Sequence, residues 1–90
     1  MTRILVVVDE PQLLRALRIN LRARTYDVDV AADGATALRV AAATQPDLVV
    51  LDLGLPDMDG VDVIRGLRGW TTIPIIVLSG RAGSSDKVHA

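Results

Sequence analysis

Aliphatic runs of strand length punctuate the chain at residues 3–8 (RILVVV), 47–51 (DLVVL) and 74–78 (PIIVL). Near-continuous runs of this kind predict strands covered on both faces. Residues 27–31 (DVDVA) alternate instead, which predicts an edge strand with one wetter face. Leu13, Leu17 and Leu21 repeat along one line with Leu14 beside them, while Arg15, Arg18 and Arg22 fall on the opposite side, so residues 12–24 read as an amphipathic helix. Asp33 is placed to cap a second helix running through an alanine-rich stretch to Thr44, where Pro46 stops it. Asp59 can cap a third, carrying Val63, Ile64 and Leu67, with Gly69 after it as a C-terminal stop. Ser84 or Ser85 can cap a fourth.

The predicted order is β-α-β-α-β-α-β-(α), with no repeat, linker or low-complexity segment. That alternation specifies an α/β fold, a doubly wound parallel sheet with helices on both faces. The first and third runs are the most apolar and belong in the centre, with the second outside the first. The resulting order 2-1-3-4 resembles the flavodoxin-like sheet, whose ligand site lies at the carboxyl ends of its first and third strands.

Ninety residues make one domain, and a chain this short leaves every core element important. Half of the residues are hydrophobic but only Tyr26 and Trp70 are aromatic, so the core is built from aliphatic side chains and alanine. A net charge of -1 gives no electrostatic footprint for nucleic acid or an anionic membrane, and DNA contact would need another domain. The absence of cysteine removes disulfides and thiolate metal sites and agrees with a reducing, cytoplasmic location. The apolar runs fall well short of the roughly 18 residues of a membrane span. Asp9 and Glu10 interrupt any signal-peptide pattern near Met1.

Candidate chemistry gathers where the strands end. Asp52 terminates the third run, Asp9 and Glu10 follow the first, and the topology predicts that these three carboxylates converge on one crevice. Like charges so close raise one another's pKa unless a cation lies between them, and a hard divalent ion such as Mg²⁺ suits oxygen ligands. For Asp33, Asp47, Asp57, Asp59, Asp62 and Asp86 the simpler expectation is helix capping or turn formation.

Three separated motifs then agree with this topology: DEP at 9–11, LDLGLPDMDG at 51–60 and LSGR at 78–81. In order and spacing they resemble the receiver domain of two-component response regulators, and in detail the OmpR/PhoB class of transcription factors. The resemblance spans residues 2–90 and implies a phosphoacceptor signalling domain rather than an enzyme. It implies that Asp52 accepts a phosphoryl group from the phosphohistidine of a sensor histidine kinase. It further implies that Asp9, Asp52 and the backbone carbonyl of Gly54 hold Mg²⁺, and that Ser79 supplies a switch hydroxyl to the new phosphate. Pro56 and Gly60 fit the loop between them, the first fixing φ and the second sparing a Cβ. DNA would be reached only through an effector domain outside these residues.

The chain also departs from the family pattern. Receivers end the first strand with two adjacent acids, whereas VVVDEP places Val8 at the first position, which removes one oxygen donor and weakens the expected Mg²⁺ site. The family's fifth strand, its terminal lysine and its fifth helix have no counterpart within residues 1–90, and Lys87 does not match the lysine's position. Residues 1–90 thus read as an incomplete receiver whose fourth strand forms an aliphatic edge, open to homodimerisation or strand exchange. Thr25 stands at the end of the first helix where a left-handed glycine is preferred.

Other readings have less support. An aspartyl phosphatase of the haloacid-dehalogenase kind needs a second acid where Gly54 stands, and GRAGSSDK at 80–87 lacks the ending of a phosphate loop. The serious alternative is a non-phosphorylated pseudo-receiver acting through protein contacts, which Val8 and the missing lysine favour. His89 reads as solvated and Trp70 as packing over the loop before the fourth strand. The arginine stripe reads as a wet helix face, although first helices of receivers commonly dock the kinase.

Overall fold

A computed structural model describes residues 2–78. The elements are β1 (Arg3–Val7), α1 (Pro11–Ala23), β2 (Asp27–Ala31), α2 (Gly34–Thr44), β3 (Leu48–Asp52), α3 (Gly60–Arg68) and β4 (Ile75–Leu78). All strands are parallel in the order β2-β1-β3-β4, as the sequence pattern predicts. The fourth helix expected near Ser84 or Ser85 lies outside the described residues.

The strand period sorts side chains onto two faces. Leu5, Val7, Val49 and Leu51 face one way and join Ala31, Ala37, Ala41, Val63 and Leu67 in a core beneath α2 and α3. Ile4, Val6, Val8 and Val50 face the other way, beneath Leu14, Leu17 and Leu21 of α1. β2 lies at the edge of the sheet as expected, though its burial does not alternate: Asp27 to Val30 are all half-buried and Ala31 is buried. Burying a β1 or β3 side chain of this size stabilises by about 1.5–3 kcal/mol, so these two central strands anchor the fold.

Helix ends differ from expectation in instructive ways. α1 starts one residue earlier than predicted, with Pro11 in its first turn and Glu10 as N-cap, its Oε1 accepting from the Leu13 N–H at 2.7 Å. Asp33 caps α2 as expected, accepting from the Thr36 N–H at 2.7 Å. Asp59 occupies the N-cap position of α3 but makes no capping bond with its side chain. Gly69 ends α3 as its C-cap, as expected, and does so with φ of -66°, a right-handed backbone that any residue type fits.

The opposite holds at Thr25, which has φ of 70°. Its N–H donates to Arg22 at 2.9 Å and the Tyr26 N–H donates to Leu21 at 3.3 Å, the paired bonds of a Schellman motif. A β-branched residue there costs about 1–2 kcal/mol in backbone strain, against about 0.5–1 kcal/mol of chain entropy for glycine. Thr25→Gly should therefore raise the unfolding free energy by about 0.5–1 kcal/mol, a gain read as a higher midpoint in urea at unchanged slope.

Candidate functional site

β3 is a central strand, and Asp52 is its last residue rather than the first of the loop. Its relative exposure of 1% makes it the buried polar or charged side chain among the described residues. A carboxylate so placed needs donors, and the Gly54 N–H supplies one to Oδ1 at 3.0 Å. Val7 of β1 lies opposite Leu51 of β3, so Val8 reaches the level of Asp52 and Asp9 follows one residue on. With neighbouring strands about 4.8 Å apart, Asp9, Asp52 and Gly54 gather at one end of the sheet.

Not all expected members join them. Glu10 turns to α1 and serves as its cap, and among the described residues no group of three or more His, Cys, Asp or Glu side chains is set to hold a metal ion. The three-carboxylate convergence is therefore corrected, because a free helix N-terminus nearby offers Glu10 a backbone N–H. Val8 is fully buried, with its side chain in the apolar cluster under α1. Asp9, Asp52 and the Gly54 carbonyl would offer oxygen donors alone, which fits Mg²⁺ in kind, since that ion takes one or two carboxylates and fills its other positions with water. Ser79, Lys87 and His89 lie outside the described residues.

The loop from Leu53 to Asp59 is fastened by a residue whose part the sequence did not disclose. Asp57, expected only to favour a cap or a turn, accepts from the N–H of Gly34 at 2.7 Å with Oδ1 and from that of Ala35 at 2.9 Å with Oδ2. It thus caps a helix 23 residues earlier in the chain. Beside it Met58 lies over Gly34, where an added Cβ would stand 2.6 Å from Sδ. Gly60 closes the loop against Leu53, whose Cα would be 2.8 Å from a Cβ at that position, so the close approach requires glycine. The one available clue is arithmetic: a helix has four unpaired N–H groups at its start, and Asp33 alone cannot serve them all.

The response regulator receiver domain profile matches residues 4–90. The chain belongs to that family. It is 66% identical over 90 residues to the transcriptional regulatory protein KdpE of Mycobacterium tuberculosis, an alignment that covers 100% of this chain and 40% of that protein. Against the KDP operon transcriptional regulatory protein KdpE of Escherichia coli the identity is 47% over 90 residues, again 100% of this chain and 40% of the relative. The receiver therefore spans about 40% of the length of these curated relatives. The BeF3-activated N-terminal receiver domain of Klebsiella pneumoniae RstA superposes with a TM-score of 0.85 at 33% identity, covering 98% of this chain and 75% of that one. No helix among the described residues is long and apolar enough to cross a membrane.

The receiver's loop clamp has a pH signature. The Gly34 N–H first, then the Ala35 N–H, hold the Asp57 carboxyl below the ordinary aspartate range. A lowered folded-state pKa contributes stability that is complete above the unfolded value of about 3.9 and disappears as pH falls through the folded value. The stability difference between the parent and Asp57→Asn should stay level from neutral pH down to about 5 and close below about 4, as denaturation midpoints across that range will show.

Proposed function

We propose that this receiver is the phosphoacceptor of a two-component system, with Asp52 as the acceptor. The observation that carries this reading is the burial of Asp52 at 1% exposure on the end of an aliphatic central strand. Such a carboxylate costs several kcal/mol to desolvate, and an apolar residue would finish the strand at lower cost. In the proposed step one Asp52 oxygen attacks phosphorus in line with the P–N bond of a sensor kinase's phosphohistidine. That bond breaks, its electron pair goes to the imidazole nitrogen, and the imidazole takes up a proton. Because Asp52 is sealed from solvent, its surroundings must open toward the donor during transfer.

The chain's own residues do the positioning. The Gly54 N–H bound to Oδ1 at 3.0 Å orients the Asp52 carboxylate. Asp9, Asp52 and the Gly54 carbonyl would hold Mg²⁺, which when bound supplies positive charge for the equatorial phosphoryl oxygens. Ser79, on sequence grounds, would donate its hydroxyl proton to the new phosphate. Transcription would be regulated through a DNA-binding domain beyond these 90 residues, in the cytoplasm, and the receiver itself would act as a signalling domain without turnover of a substrate.

A second reading is favoured by Val8, whose buried side chain brings no oxygen to the cation site. On that reading the chain is a pseudo-receiver that works by protein contact. The half-exposed Ile76 and Val77 of β4 would then favour a homodimer or strand-exchanged oligomer.

Acetyl phosphate with Mg²⁺ separates the two. Intact-mass measurement should show a gain of about 80 Da, one phosphoryl group, that is absent in Asp52→Asn. No gain in the parent chain would favour the pseudo-receiver.

Val8→Asp should restore a carboxylate beside Asp52 and tighten Mg²⁺ binding about tenfold or more, measured by calorimetry, at some loss of stability from placing a charge in the apolar cluster.

A further inference from the structure

The Leu53–Asp59 loop must hold Gly54 in register with Asp52, yet few bonds fix it. Leu53 accepts from the Gly60 N–H at 3.3 Å, and Leu53, Leu55 and Met58 pack partly buried against the core. Its strongest polar tie leaves the loop altogether, since both Asp57 oxygens reach α2, at 2.7 Å and 2.9 Å. The first three N–H groups of α2, on Gly34, Ala35 and Thr36, each donate to a carboxylate, two to Asp57 and one to Asp33. A two-point attachment fixes orientation as well as distance. Between that fork and Gly54 lie only Leu55 and Pro56, and the proline ring removes one backbone rotation from the span.

We propose that Asp57 is a positioning residue for the Asp52 site, holding the loop on the N-terminus of α2 so that the Gly54 N–H and carbonyl stay in place. The proposal rests on the phosphoacceptor reading of Asp52. It assigns Asp57 an effect that a simple helix cap lacks: loss of the fork loosens Gly54, and through Gly54 it loosens both the Asp52 carboxylate and one oxygen ligand of the cation. Asp33 supplies the contrast. It caps the same helix end through Thr36, within α2, with no bond into the loop.

The test compares Asp57→Ala, Asp57→Asn and Asp33→Ala in the full 90-residue chain. Amide hydrogen exchange at Leu53 and Gly54 and the Mg²⁺ dissociation constant by calorimetry are read beside the rate of Asp52 phosphorylation by acetyl phosphate. Asp57→Ala should speed exchange at both amides and weaken Mg²⁺ about tenfold, the lower end of the loss that follows removal of an outer-shell partner. Asp57→Asn keeps one oxygen and should fall between it and the parent. Asp33→Ala should lower thermal stability while leaving exchange at Leu53 and Gly54 and the Mg²⁺ affinity within twofold of the parent. Equal effects of the two alanine variants, or unchanged exchange at Leu53 and Gly54 in Asp57→Ala, overturn the proposal. A parent chain that takes up no phosphoryl group defeats the reading of Asp52 instead, and the exchange comparison then decides the role of Asp57 alone.

Discussion

The central strands of a parallel sheet covered by helices on both faces have no room for charge except at their ends. β1 and β3 fill their length with aliphatic side chains in both directions, and polar groups enter only where the ladder stops. Asp52 stands at that boundary, buried yet supplied with the Gly54 N–H. The same boundary gathers Asp9, the start of α1 and the loop tied to the start of α2. Charge, helix ends and backbone donors meet there because the packing of the two central strands excludes them from the strands' length.

This division explains which features could be read along the chain. Strands of aliphatic residues and a helix with leucines on one side declare themselves through local period, and the order β2-β1-β3-β4 follows from which runs are most apolar. Thr25 was legible too, because the demand for a positive φ at a helix end is local. What stayed hidden depends on choices between partners. Glu10 had two uses open to it, a cation or a helix cap, and the choice is made in three dimensions. Asp57 serves a helix that precedes it by 23 residues, a pairing that no local window contains. At Gly69 the stop itself was legible, while the right-handed backbone that makes it, with φ of -66°, was not.

Val8 shows the two demands in direct competition. The position belongs to the core under α1, where its N–H still bonds to Ala31 at 3.1 Å and its side chain is fully enclosed. It also stands level with Asp52, where the family pattern favours an acid. A valine satisfies packing at the expense of the oxygen donor set. The chain retains Asp9 and Asp52 all the same, so on the proposed reading a cation would rest on two carboxylates and a carbonyl.

α2 turns Ala37 and Ala41, both fully enclosed, toward the sheet. Methyl groups make a shallow relief there, whereas Leu38 of the same helix lies against Gly66 of α3, where an added Cβ would stand 2.8 Å from the leucine's Cδ2. This helix is thus seated at its tip, by the carboxylate fork and by Met58 over Gly34, and along its length, by Leu38 and Val40 on the core. It presents a smooth side to the sheet at its alanines and a toothed side to α3 at Leu38.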